Sequence, residues 1–442
     1  MRVERSGGLD RVRRAAACAL ALMLIAGCAI DGPAPAEPAA PQASRTPAKP
    51  GRTPAKPPAK PATRPPAAAT PAPSAPAPGA PAAAEQAETR EPATLRVGPT
   101  GDIRTIAEAA RLARDGDTVE VQAGEYRGDV AVWLQKKLTL RAVGGPVVLV
   151  ADGHAAEGKG IWVIRNGEFE IEGFDFVGAR VPSRNGAGIR FERGKLTVRD
   201  SRFIDNQMGL LTGNDAASEL TVERCEFRGP TDGDHWYHNL YAGTIARLTV
   251  IGSWSHKARR GHLLKSRARE NHILYNRLTD EGGNASYELE FANGGIARVI
   301  GNVIEQSPRT DNRTLVSFGA EGYRWPANRL ALSHNTVVNR ALNGTFVRVS
   351  PGQVAVQLYN NLWVGPGDAV LPSGIAESGN QRVDLSAFRD PRRHDYRALP
   401  HGPIAPVRAR APDALTPELE YLHERRLAQL GAVPLLPGAL QR

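Results

Sequence analysis

The chain has 442 residues and a formal net charge of +10, from 56 Lys and Arg against 46 Asp and Glu. Residues 1–14 and 31–92 carry half of that excess, and no later stripe of basic residues interleaves with aromatics, so nucleic acid is not an expected partner. No apolar run of 18 residues exists beyond the N-terminal segment, which excludes a spanning helix in the processed chain.

Residues 2–14 are rich in Arg, and residues 15–26 (AAACALALMLIA) form an apolar stretch too short to cross a bilayer. This charged-then-apolar order is that of a secretory signal peptide. It ends Ile25-Ala26-Gly27-Cys28, which resembles a bacterial lipobox. The resemblance implies cleavage after residue 27 and acylation of Cys28. It implies a membrane partner reached through a lipid anchor, since several acyl chains hold a protein stably. Ala29 follows the Cys in place of Asp, which by the same resemblance points to the outer membrane of a bacterial envelope. An ordinary signal peptide is the alternative.

Residues 28–94 read as a tether. Eighteen of the 35 prolines lie between residues 31 and 92, and RTPAKPG (45–51) is followed directly by RTPAKPP (52–58). Such a segment cannot bury a core, and in polyproline geometry it reaches at most roughly 200 Å.

Thr105 can cap a short amphipathic helix with apolar positions 106, 109, 110 and 113, stopped by Gly116. Beyond it the chain repeats. Leu196-Thr-Val-Arg-Asp-Ser-Arg-Phe203, Leu220-Thr-Val-Glu-Arg-Cys-Glu-Phe227 and Leu248-Thr-Val-Ile-Gly-Ser-Trp-Ser255 align without gaps. The equivalent positions Phe174, Ser201, Cys225, Ser253, Asn276, Asn302, Asn335 and Asn361 recur every 23 to 33 residues. A second strand series alternates with these, from Gly160-Ile-Trp-Val-Ile164 to Phe346-Val-Arg-Val349. Short strands at a period of about 26 residues predict a parallel solenoid whose coils bury their faces on one another. The repeated Asn would stack at an internal corner, and Cys225, at the same position, reads as a small core residue. A terminal helix would cover the open end of the coil.

The strand–helix opening, the Asp115-Gly-Asp-Thr-Val-Glu-Val121 run and the Asn ladder resemble right-handed parallel β-helix proteins of the pectate-lyase type. The resemblance spans residues 95–385 and implies an all-β, single-stranded right-handed parallel β-helix with an N-terminal capping helix. Residues 386–442 read as a tail that wraps back onto the coil.

Polar residues thicken between 232 and 324. His235, Trp236, His238 and Tyr241 belong to one coil; His256, Arg259, Arg260, His262, Lys265 and Arg267 to the next; Glu288 and Glu290 to a third. Coils about 4.8 Å apart would gather these into one patch the size of two or three sugars. With Tyr287, Leu289 and Phe291 inward, Glu288 and Glu290 would both point outward beside Lys265. Desolvation among Arg259, Arg260 and Arg267 would lower the lysine pKa and make it a base. The alternative is a salt-bridge ladder of Glu288 and Glu290 with Lys265 and Arg298. Trp236, Tyr237, Tyr241, Tyr323 and Trp325 could stack on sugar faces.

Lys265-Ser266…Asn271…Tyr275-Asn276 resembles a rung of the β-helical polysaccharide lyases that include chondroitinase B and alginate lyases. That resemblance implies an acidic, uronate-containing polysaccharide as substrate and cleavage by β-elimination. Lys265 would be the base, with His238, His262 and Arg267 beside the reacting sugar; His235, Trp236, Tyr241, Arg259, Arg260, Glu288 and Glu290 would contact substrate. It also implies Ca²⁺, for which Glu288 and Glu290 are the oxygen donors at hand. The chain departs from the family where an Arg is expected, near Glu288. Two other readings stay open: a carbohydrate-binding or envelope-organising lipoprotein without turnover, and a structural solenoid with an envelope protein as partner.

Overall fold

The structure, a computed structural model, describes residues 90–231, 235–408, 410–431 and 436–441. The signal segment, Cys28 and the tether up to residue 89 lie outside the described residues.

The chain is a parallel β-helix with three strand faces per coil. The first face carries the Leu-Thr-Val strands, from Glu168–Glu172 through Lys195–Arg199, Glu219–Glu223 and Arg247–Ile251 to Ala355–Tyr359. Its register stacks like on like: Leu196, Leu220 and Leu248 are successive Cα partners, as are Val198, Val222 and Val250. The sequence alignment is therefore the physical stacking. The second face carries shorter strands, among them Arg202–Ile204, Glu226–Arg228, Trp254–His256 and Arg277–Thr279. It was hidden in the sequence because each strand is only three or four residues long and abuts the repeat. The third face is a ten-stranded parallel sheet from Ala131–Trp133 to Asp368–Val370, and includes Leu240–Ala242, Leu264–Ser266, Leu289–Phe291 and Thr314–Phe318.

Inward side chains form columns. The Phe176 and Phe203 rings stack at 5.0 Å between centroids, and Phe203 and Phe227 at 4.7 Å, which is the inter-coil spacing. Trp133 and Trp162 meet edge to face at 5.5 Å below them. Each fully buried aromatic of this kind removes a large apolar surface from water.

The corner between the first and second faces has one construction in nine coils. The residue before each ladder position is left-handed: Gly173, Asp200, Arg224, Gly252, Tyr275, Gly301, His334, Asn360 and Gly379. Where the ladder residue is Ser or Asn, its side chain satisfies the backbone of the coil below. Asn302 Oδ1 accepts from Asn276 N at 2.8 Å, and Asn302 Nδ2 donates to Ile273 O at 2.8 Å. Asn335, Asn361 and Asn380 continue the series. Asn380 was not anticipated, since its spacing from Asn361 is only 19 residues. Cys225 is fully buried in the same column, and burial pushes its thiol up to about 12.

The helix Ile106–Leu112 lies at the start of the coil with Ile106, Ala109 and Ala110 buried. Thr105 Oγ1 accepts from Glu108 N, and the Asp129 carboxylate accepts from Ile106 N and Ala107 N. At the other end the tail returns over the coil. Phe388, Tyr396, Ile404 and Ala439 pack against Val303, Val338 and Leu362, while Ala411 and Leu415 pack against Tyr275 and Ile300. No helix among the described residues is long and apolar enough to cross a membrane.

Candidate functional site

Period-2 alternation decides which side chains of the third face point outward. Leu240, Leu264 and Leu289 are successive partners and are buried in the core. Their neighbours Tyr241, Lys265 and Glu290 are therefore an outward column, continued by Ser317.

A second column runs beside it where the chain enters these strands. His238, His262 and Tyr287 occupy successive coils. Ring centroids of His238 and His262 are 4.6 Å apart, and those of His262 and Tyr287 are 5.0 Å apart. The column needs Gly261: a Cβ there would come within 1.9 Å of the Tyr237 carbonyl oxygen. Backbone amides fix both imidazoles. His262 N donates to His238 Nδ1 at 2.9 Å, and Tyr287 N donates to His262 Nδ1 at 3.3 Å. Each ring thus keeps its proton on Nε2. His262 Nε2 lies 3.0 Å from Glu290 Oε2, within ion-pair distance. His238 is held well below the usual imidazole range by burial of the ring, then by His262, Lys265 and Arg267.

Lys265 sits between two carboxylates, with Nζ 3.0 Å from Glu290 Oε2 and 2.9 Å from Glu321 Oε1. Glu321 also takes a two-pronged contact from Arg267, Nε to Oε2 and Nη2 to Oε1, both at 2.7 Å. Arg267 Nη1 donates to the Tyr241 hydroxyl, and Lys265 Nζ lies 5.7 Å above the Tyr241 ring. Burial alone would lower the Lys265 ammonium, but Glu290 and Glu321 hold it above its usual range. The pairing with Arg267 and Lys265 holds Glu321 down to about 2.

The lowered lysine pKa expected from Arg259, Arg260 and Arg267 is therefore not found. Arg259 Nε donates to Pro230 O, and the Arg260 guanidinium lies 5.1 Å over the exposed Trp236 ring. Arg267 is beside the lysine, sharing Glu321 Oε1 with it, but the two carboxylates outweigh that cation. The ladder alternative holds for Lys265 and Glu290, whereas Arg298 faces His272.

Glu288 requires the larger correction. It is fully buried, and neither carboxyl oxygen has a hydrogen-bond partner. Burial, then Asp280 and Glu305, hold it well above the usual carboxylate range. Alternation counted back from Phe291 fails because the strand begins only at Leu289. Glu288 and Glu290 consequently do not share a face. One is sealed from solvent; the other already faces His262 and Lys265. This pair does not fit Ca²⁺, which needs six to eight accessible oxygens. Among the described residues no group of three or more His, Cys, Asp or Glu is placed to hold a metal.

The remaining candidates flank the site. His235 Nδ1 lies 3.0 Å from Arg184 Nη1, and Tyr237 is buried. Tyr323 donates to Ser350 O and Trp325 Nε1 to Arg267 O, so both brace the site. Within the Lys-Ser…Asn…Tyr-Asn motif only Lys265 belongs to this site. Ser266 and Asn271 bond one another in a buried turn, Tyr275 is the left-handed corner residue, and Asn276 is a ladder residue. Glu321 was missed. It follows the strand Thr314–Phe318 and reaches back toward Lys265, and no periodic signal marks such a return.

Comparison with protein-family models, with curated proteins and with solved structures finds no match to this chain.

Proposed function

We propose that this chain is an exported, lipid-anchored β-helix protein whose third face, from Trp236 to Glu321, acts on a uronate-containing polysaccharide. The observation that carries the reading is the Tyr241–Lys265–Arg267 group, two cations and an aromatic ring on one outward face. Trp236, 54% exposed and 5.1 Å below Arg260, supplies a stacking surface beside it. The resemblance to pectate-lyase-type coils and to β-helical lyases points the same way.

The reaction that suits these groups is β-elimination. Lys265 would take the proton on the carbon α to the uronate carboxylate, and the bond from the β-carbon to the glycosidic oxygen would break. His238 Nε2–H is the available donor to the leaving oxygen, and Arg267 would hold the carboxylate. Because Glu290 and Glu321 keep Lys265 protonated, elimination should climb steadily into alkaline pH. The test is incubation with polygalacturonate, alginate and chondroitin, read by ultraviolet absorbance of the unsaturated product. Signal lost in Lys265→Ala supports the reading, and an equally active Lys265→Ala refutes it.

A second reading is binding without turnover. It is favoured by one observation: Lys265 is charged, and both nitrogens of His262 are engaged, so neither is free to accept a proton as it stands.

A further inference from the structure

The Glu321 carboxylate is bound as a ligand would be. Two side chains converge there, and a third lies beneath them. Arg267 grips both oxygens, Lys265 donates to one, and Tyr241 lies under both cations, with the Arg267 guanidinium 5.2 Å and the Lys265 ammonium 5.7 Å from its ring centroid. A planar fork meeting a carboxylate on two prongs is the strongest form of that contact. Yet Glu321 belongs to a different coil, and its side chain is 33% exposed.

The rest of this half of the site is buried and permanent. Glu290 is 3% exposed and is held by His262 as well as by Lys265. Lys265 thus keeps one carboxylate in the wall whatever happens to Glu321. The cradle has room for one further carboxylate, and the chain's own Glu321 fills it.

Among the described residues no other hydrogen bond or ion pair holds the Glu321 side chain. Its backbone is anchored, with Glu321 N donating to Ala292 O at 2.9 Å and Gly322 N to Gly319 O at 2.9 Å. The loop need not open. Rotation about the side-chain bonds alone withdraws the carboxylate and leaves Arg267 and Lys265 facing solvent. With Glu321 33% and Arg267 28% exposed, water and salt reach this pair and compete for both partners. A ligand carboxylate that also gains contacts along the neighbouring coils can displace it.

We propose that Lys265, Arg267 and Tyr241 form a subsite for the carboxylate of an acidic sugar, and that Glu321 is its built-in occupant, displaced when substrate binds. The inference rests on the reading of this face as a uronate site, and it explains how a charge-balanced surface takes an anionic polymer. Glu321 leaves as the ligand enters, so the net charge of the cradle is unchanged. A cradle filled nine-tenths of the time by its own carboxylate weakens apparent ligand affinity about tenfold.

The test is chemical rescue in the full chain. Glu321→Ala is expected to melt below the parent protein, and sodium acetate or glucuronate should raise its melting temperature saturably. The parent protein should respond only at about tenfold higher concentration, and chloride at equal ionic strength should not substitute. Glucuronate should bind Glu321→Ala about tenfold more tightly than the parent. Rescue should vanish when Arg267→Met is added. Glu321→Gln keeps the shape of the side chain and serves if the alanine variant folds poorly; it too should bind glucuronate more tightly. Rescue by chloride as well as by acetate, or unchanged glucuronate affinity in both variants, overturns the proposal. Rescue by acetate with no retention of any acidic polysaccharide would uphold the cradle and remove only the polysaccharide reading.

Discussion

Lys265 Nζ and His262 Nε2 converge on a single oxygen, Glu290 Oε2, each at 3.0 Å. Two coils thereby share one buried charge, and the three side chains behave as a unit. Removing one partner from a buried pair costs about 3–5 kcal/mol, whereas removing both costs much less. Lys265→Met alone should destabilise by about 3 kcal/mol. Adding Glu290→Gln should restore part of that loss. Denaturant melts of the two single variants and the double variant give the coupling energy directly.

The buried carboxyls should make stability fall as the medium becomes more alkaline. Burial raises Asp280 from 3.8 to about 7. Glu288 is raised also, with Asp280 and Glu305 as its charged neighbours. A group whose folded pKa is raised binds its proton more tightly in the folded state. Its contribution is complete below the unfolded value and is lost as pH climbs through the folded one. For Asp280 that window runs from about pH 4 to about 7, with up to about 4 kcal/mol at stake. Asp280→Asn should therefore melt above the parent at pH 8 and nearly with it at pH 4.

His238 pulls the other way. Its folded pKa is depressed, chiefly by burial, so protons favour the unfolded chain as pH falls below about 6.5. The same proton would have to displace the His262 N–H from His238 Nδ1. A melting series from pH 7 to 5 should show a decline in the parent that is smaller in His238→Asn. An equal decline in both would remove His238 as the source.

The ladder predicts steep costs at single positions. Asn302→Ala leaves Ile273 O and Asn276 N without the side chain that now satisfies them. Each buried group left unsatisfied costs about 1–3 kcal/mol, so a loss of about 3 kcal/mol or more is expected in chemical denaturation. Cys225→Ser, at the same corner of a coil where Ser201 and Ser253 already serve, should cost less than half of that.

The coil was legible because its register is a repeat. Leu196, Leu220 and Leu248 stack in space as they align in sequence. The helix was legible because Thr105 and four small or apolar positions suffice to define it. The site was legible only in part. Lys265, Glu290, Tyr241, His238 and His262 stand together as strand alternation and coil stacking require. Glu288 broke the pattern because alternation holds only within a strand, and it lies one residue outside. Glu321 escaped because its contact spans 54 residues, from a loop to a strand two coils below, and loops carry no period. The charge state of Lys265 was misjudged for the same reason: the missing neighbour was an anion.

The most direct measurement is binding of oligogalacturonate by titration calorimetry, with a neutral oligosaccharide of equal length as control. The parent should bind the acidic chain and not the neutral one, Arg267→Met should lose at least tenfold in affinity, and Glu321→Gln should gain. Equal binding of both sugars, or an acidic ligand bound as well by Arg267→Met as by the parent, would contradict the assignment of this face.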